Sequence, residues 1–201
     1  GTTRAGLLLV DSGGRIERQL RAGDAGGLPD DSVRALHFDG RGRLWIGTAR
    51  GLARIDDDGR LTSWNHRPGD SLALPGDSVV ALAGDRNGLI WIGTWTGGLS
   101  HFDPDTERFR LLRHGAPPGL PTNAVAAIGA DADGALWLGM IDRGGLLRID
   151  AEGRAERALK RGSDDPQALA SDDVLSVLSV PEGVWVGYIG GGVDLLRRDG
   201  G

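Results

Sequence analysis

A four-residue pattern, apolar–Trp–aliphatic–Gly, occurs four times in this chain. The copies are Leu44-Trp45-Ile46-Gly47, Ile90-Trp91-Ile92-Gly93, Leu136-Trp137-Leu138-Gly139 and Val184-Trp185-Val186-Gly187. Their tryptophans are spaced 46, 46 and 48 residues apart, and the chain holds 6 tryptophans in all. A pattern that returns at a fixed period means that each period folds as one supersecondary unit and buries its apolar face against the next.

Each period divides into four short segments. The first is small and apolar: Val33-Arg34-Ala35-Leu36, Val79-Val80-Ala81-Leu82, Val125-Ala126-Ala127-Ile128 and Val174-Leu175-Ser176-Val177. A turn from Asp to Gly follows (39–42, 85–88, 131–134), then the Trp segment, then a Gly-Leu segment such as Gly51-Leu52-Ala53-Arg54-Ile55-Asp56. The fourth is more polar, as in Arg108-Phe109-Arg110-Leu111-Leu112. Short segments bounded by Gly, Asp and Pro, without helical periodicity, are strands. Four strands per period of this length make a blade, and the chain is expected to be an all-β propeller of antiparallel blades. The apolar first strand would line the central channel, and the charged fourth would blunt the outer edge. The recurring Trp would be buried between blades. The expected organisation is a single propeller region over 1–201: a partial blade at 1–28, blades at 29–74, 75–120 and 121–170, and a partial blade at 171–201. That amounts to 17 strands, about four blades' worth, and is expected to be a fragment of a larger propeller whose open blade ends could support a homo-oligomer.

Composition narrows the partners. The chain carries 23 basic and 28 acidic residues, interspersed and without a basic stripe, which argues against nucleic acid or an anionic membrane as partner. The 35 glycines fit a fold with many tight turns. There is no cysteine, hence no disulfide framework or thiolate chemistry. No apolar run reaches the roughly 20 residues of a membrane span, and no signal peptide is recognisable. The abrupt start at Gly1 reads as a piece cut from a longer chain.

Asp31-Ser32-Val33, the turn Asp39 to Gly42, Leu44-Trp45-Ile46-Gly47-Thr48 and Gly51-Leu52-x-Arg54-Ile55-Asp56 together resemble the two-component regulator propeller repeat. The stretch Arg67-Pro68-Gly69-Asp70-Ser71-Leu72-Ala73-Leu74-Pro75 is similar to that family's inter-repeat loop, and the resemblance extends over essentially the whole chain. The last repeat departs most: its turn, Pro181-Glu182-Gly183, is one residue shorter, and Tyr188 stands where Thr follows Gly47. Met140 replaces the same Thr in the third repeat. The resemblance implies the periplasmic or extracytoplasmic sensor region of a bacterial receptor whose output half is a histidine kinase, hybrid regulator or diguanylate cyclase. It further implies recognition of an oligosaccharide or other small molecule. No output motif occurs in this chain.

The remaining motifs point away from catalysis and cofactors. Asp56-Asp57-Asp58-Gly59 and Asp131-Ala132-Asp133-Gly134 lack the bidentate acid that a calcium loop requires, and an Asp to Gly spacing suits a plain β-turn. Gly190-Gly191-Gly192 and Gly97-Gly98 lie between strands, with no helix to cradle a phosphate. His37, His66, His101 and His114 fall on different strand types in different repeats, without metal-ligand spacing or a nucleophile elbow. No catalytic residue, metal or cofactor is therefore expected.

The repeats differ most in the loop between the second and third strands. Its contents are Thr2-Thr3-Arg4, Thr48-Ala49-Arg50, Thr94-Trp95-Thr96, Met140-Ile141-Asp142-Arg143 and Tyr188-Ile189-Gly190. Variable tips on a constant frame are where a rigid scaffold carries binding. Arg50, Trp95, Asp142, Arg143 and Tyr188 are the candidate ligand-binding residues, aromatics for stacking and charged groups for hydrogen bonds. The function expected first is non-catalytic ligand sensing. A structural or protein-interaction scaffold comes second and a propeller lyase or hydrolase third.

Overall fold

The computed structural model describes residues 1–70, 72–112, 114–115, 119–162 and 167–198; Ser71 of the inter-repeat stretch lies outside them. They form seventeen strands and no helix. Two strands, β1 (Leu7–Val10) and β2 (Ile16–Leu20), make an incomplete first sheet. Blade 1 follows as β3 (Val33–Phe38), β4 (Leu44–Thr48), β5 (Gly51–Ile55) and β6 (Leu61–Trp64). Blade 2 is β7 (Val79–Gly84), β8 (Ile90–Thr94), β9 (Leu99–Asp103) and β10 (Arg108–Leu112). Blade 3 is β11 (Val125–Ala130), β12 (Leu136–Met140), β13 (Gly145–Ile149) and β14 (Ala155–Leu159). Blade 4 has three strands, β15 (Val174–Val180), β16 (Gly183–Tyr188) and β17 (Val193–Arg197). In every sheet consecutive strands pair antiparallel in chain order. The first strands β3, β7, β11 and β15 pack on one another in sequence, so the blades radiate from a common axis as in a β-propeller.

The blade turns explain why the Asp recurs. In blade 1 the amide of Gly42 donates to the Asp39 carbonyl at 3.0 Å with Gly42 at φ 78°, a conformation that favours glycine. One carboxylate oxygen of Asp39 accepts the amides of Arg41 and Arg43, and the other accepts the indole N–H of Trp45 at 2.8 Å. Asp85 receives Trp91 at 2.9 Å in the same way, and Asp131 receives Trp137 at 3.1 Å. Each Asp therefore ends the first strand, shapes the turn and satisfies the one polar atom of a buried Trp. Burial alone would raise the Asp39 pKa, but the bonds from Trp45, Arg43 and Arg41 outweigh it and hold the carboxyl below its usual range.

Each buried Trp faces the next blade. Trp45 packs with Ile90 and Ile92, Trp91 with Leu136 and Leu138, and Trp137 with Val184 and Val186. Across the strand from these rings stand Arg54, His101 and Arg148. The Arg54 guanidinium lies 5.5 Å from the Trp45 ring and that of Arg148 lies 5.8 Å from the Trp137 ring, both within cation–π range. The expectation that all four repeat tryptophans are buried holds for three and fails for Trp185, which is 42% exposed. Among the described residues no further blade packs on its outer face. The shortened turn brings no Asp to its indole, and Leu195 replaces the cation across the strand. Leu178, directly opposite Trp185, is exposed with it. At the other end Leu9 and Val10 of β1 and Leu36 and Phe38 of β3 are exposed, where the first sheet has two strands in place of four.

The glycine after each Trp lets adjacent blades approach closely. A Cβ at Gly93 would stand 2.8 Å from the Val125 carbonyl oxygen and 3.0 Å from its Cγ1. Gly93→Ala is expected to destabilise the chain by about 1–3 kcal/mol through overpacking, read as a lower urea midpoint. An unchanged midpoint would show that the blades can slide apart at no cost.

Candidate ligand-binding face

The loops that join second to third strands are built on a repeated frame. The amides of Ala49, Trp95, Ile141 and Ile189 donate to the carbonyls of Ser32, Ser78, Ala124 and Asp173, at 3.0, 3.0, 3.1 and 3.1 Å. This ties each of these four loop tips to the segment entering its own blade and places the four on one face. Thr48 and Thr94, buried, turn their hydroxyls onto the carbonyls of Gly51 and Gly98 at 2.8 and 2.9 Å.

A second latch joins consecutive blades. The carboxylates of Asp31, Asp77 and Asp172 and the amide oxygen of Asn123 accept the backbone N–H of Ala22, His66, Arg161 and His114 respectively, at 2.6–2.9 Å. The four acceptors each stand two residues before a first-strand Val. That spacing was available in the sequence as a signal, although only Asp31 figures in the repeat reading. His66 and His114 add ring Nδ1 contacts of 2.8 Å to the Leu74 and Leu120 carbonyls, which makes them part of the same loop scaffold.

Of the five expected site residues, four are exposed on this face. Arg50 has 79% of its side chain exposed and lies 3.7 Å from Asp30. Trp95 is 40% exposed. Asp142 and Arg143 occupy consecutive left-handed positions, φ 57° and 61°, in a turn closed by the Gly144 amide on the Ile141 carbonyl at 3.2 Å. Such a turn favours Asn-Gly or Gly-Gly at its centre, so Arg143 is strained there. It is held by its amide on Asp173 at 3.0 Å and by Lys160 on its carbonyl at 3.0 Å. Because those anchors are backbone atoms, Arg143→Gly keeps them and removes the strain. We expect it to raise stability by about 1 kcal/mol, read as a melting temperature higher by a few degrees; a fall would show that the side chain itself braces the loop.

Tyr188 sits differently. It is 8% exposed, packs in the core between blades 3 and 4, and its hydroxyl donates to Asp194 at 2.8 Å. Burial first, and the Asp194 carboxylate second, push its phenol pKa up. It occupies the frame position of Thr48 and Thr94, as buried Met140 does, and so ties β16 to β17 without offering a ring to a ligand.

Between blades 1 and 2 the face opens into a cleft of about 480 Å³ lined by Ala49, His66, Gly76, Ser78, Thr96 and Gly97, among others. Arg50 and Trp95 are the neighbours of lining residues Ala49 and Thr96. Arg34, on the channel strand β3, was not singled out in the sequence; it donates to the hydroxyl of the lining residue Ser78 at 2.7 Å. Elsewhere, His37 lies on β3 with its pKa lowered by burial, and His101 packs on the Trp91 ring at 4.9 Å. Among the described residues no three His, Asp or Glu side chains gather as a metal site would need.

Fold and loop frame together define a β-propeller with a single decorated face. The family model described as two component regulator propeller matches residues 27–50 and 73–96, the stretches around Trp45 and Trp91. Solved structures with this fold include the extracellular domain of BT3049 from B. thetaiotaomicron, described as a hybrid two component system. It is 23% identical with TM-score 0.71, over 83% of this chain and 23% of that one. The extracellular domain of BT4673 from the same organism, described as a one component system, is 20% identical with TM-score 0.73, over 92% and 23%. Virginiamycin B lyase of Staphylococcus aureus, a catalytically inactive variant with quinupristin, is 17% identical with TM-score 0.69, over 96% and 59%. The chain thus spans about a quarter of the length of the two extracellular domains. No curated protein sequence matches it.

Proposed function

We propose that this chain is the ligand-recognising part of an extracytoplasmic sensor propeller, non-catalytic in itself, which binds a small molecule or oligosaccharide on its loop face. The observation that carries this reading is the exposure of Trp95 and Arg50 on loops whose backbone is fixed by the recurring frame, next in sequence to Thr96 and Ala49 of the cleft between blades 1 and 2. An indole presented on a rigid loop stacks on a flat apolar face with little ordering cost, and polar groups around it fix orientation. The extracellular domains of similar fold support the location. The lyase of similar fold does not bring catalysis with it, because function resides in sites, and His66, His101 and His114 serve packing and loop bonds.

The test is a thermal-shift screen of the 201-residue chain against oligosaccharides and small metabolites, followed by calorimetric titration of any hit. Trp95→Ala is expected to weaken binding at least tenfold with the unliganded melting temperature unchanged. A hit that binds the variant as tightly as the wild type would remove the site from this face. Absence of any hit, with a protein partner captured through the same loops, would favour the scaffold reading.

A further inference from the structure

The contact between consecutive blades is made in full three times and left half-made at each end. Trp45 is received by Leu82, Ile90 and Phe102 of the next blade, Trp91 by Ile128, Leu136 and Ile149, and Trp137 by Val177, Val184 and Leu196. Each trio draws one residue from the first strand, one from the second and one from the third. The matching trio of blade 1 is Leu36, Leu44 and Ile55. Together with Leu7, Leu8 and Leu9 of β1 it lines a groove of about 380 Å³ that no indole fills. Asp56, also on the groove wall, is paired with Arg54 at 2.7 Å. At the far end Trp185 is 42% exposed. One end therefore offers an empty Trp receptor and the other an unreceived Trp.

The end strands match in the same way. β1 and β2 are the third and fourth strands of a blade, and β15, β16 and β17 are the first three. The edge that β1 leaves free is the one that borders a Trp strand in blades 1, 2 and 3. β1 and β17 hold the same place in the repeat, so only one of them can border β16. Both carry a leucine, Leu9 and Leu195, where Arg54, His101 and Arg148 stand across from a Trp. β1 is thus suited to a Trp strand whose indole lacks a cation across from it, as β16 does. It is also the better packed of the two: Leu7 is 8% exposed, and Val193, at the same place in β17, is 62% exposed.

We propose that two copies of this chain join head to tail, β1 and β2 of one completing a blade with β15 and β16 of the other. Trp185 then fills the groove formed by Leu36, Leu44 and Ile55 of the second copy. β17 yields its place to β1, and Val10 stands where Leu196 stood against Trp137. The Tyr188 bond to Asp194 is given up in exchange for a buried Trp and a fourth strand. A head-to-tail contact is closed only in a ring. Two copies joined at both junctions hold six complete blades and two composite ones, within the range of about four to eight that propeller rings use.

The mass of the 201-residue chain is measured by light scattering from about 1 to 200 μM, because association of this kind depends on concentration. The expected result is twice the mass of one chain at the upper end, falling to one chain on dilution. Unfolding measured on the dilute chain therefore reads Trp185 as exposed. Trp185→Ala and Leu36→Asp should each weaken the pair by about thirtyfold or more, the scale of an interface hot spot. Both residues are exposed in the single chain, so the variants are expected to fold, and an unchanged melting temperature at low concentration confirms it. The chain has no cysteine, so the double variant Val10→Cys, Val184→Cys reports the strand exchange directly: oxidation should link two copies. A single-chain mass at every concentration overturns the inference, and so does a disulfide formed within one chain, which would mean that the chain closes on itself. A pair that both variants leave at full strength overturns it too, because another surface would then join the copies.

Discussion

Trp91→Ala is expected to lower stability by about 3–5 kcal/mol, the range for truncating a fully buried large aromatic. Trp91 is 1% exposed and fills the space between blades 2 and 3 against Leu136 and Leu138. Its N–H satisfies Asp85 at 2.9 Å and its ring supports His101 at 4.9 Å, so the substitution opens a cavity and takes away a buried hydrogen bond together. For a chain of this size the melting temperature should fall by roughly 10 °C or more. Trp185→Ala is the internal control. The residue occupies the same sequence position in its repeat but is 42% exposed and has no Asp partner, so its truncation should cost less than about 1 kcal/mol. Urea unfolding of both variants checks this; equal losses would mean that the last blade is covered in solution by something that buries Trp185.

This contrast marks how far the sequence could be read. The Trp pattern was enough for the blade, the strand order and all seventeen strands, because a period this regular admits one architecture. It could not show that the fourth Trp is exposed, since burial there depends on the next blade and not on local residues. Even so, the missing Asp in Pro181-Glu182-Gly183 was a legible sign, once the Asp is understood as the indole's acceptor as well as a turn former. The candidate site was half legible. Variable loop tips led to Arg50, Trp95, Asp142 and Arg143, which are exposed where a ligand could meet them. Tyr188 looked like another tip but stands on the frame position that buries Thr48 and Thr94. Arg34 was missed because its strand was read only as channel lining, and a side chain that crosses to the neighbouring blade's Ser78, 44 residues away, leaves no local pattern.

Asp131→Asn is expected to cost about 3 kcal/mol at neutral pH, and the loss should shrink in acid. The side chain of Asp131 is wholly buried at the junction of blades 3 and 4. It accepts the Trp137 indole N–H at 3.1 Å, the Ser179 hydroxyl at 3.0 Å and both terminal nitrogens of Arg198, with the Arg148 guanidinium 3.8 Å away. Burial would raise its pKa, but the Arg198 guanidinium, the Ala132 amide, Ser179 and Trp137 overcome that and hold the carboxyl far below the usual carboxylate range. A carboxyl with a depressed folded-state pKa binds protons more readily when unfolded. Its contribution is therefore complete above the unfolded value of about 4 and is lost as pH falls toward the folded one. An asparagine accepts with one oxygen, brings no charge, and would turn an N–H toward a guanidinium. The wild-type advantage in urea midpoint should thus be largest at pH 7 and smaller at pH 3. Arg198→Ala removes the largest favourable partner while leaving Trp137 and Ser179 in place. It should also lower stability, because the wholly buried Asp131 carboxylate then keeps only the Arg148 guanidinium, 3.8 Å away, as a cation. A gap between wild type and Asp131→Asn that stays constant from pH 7 to pH 3 would mean that this carboxylate acts through its shape alone and that its charge contributes nothing to joining the two blades.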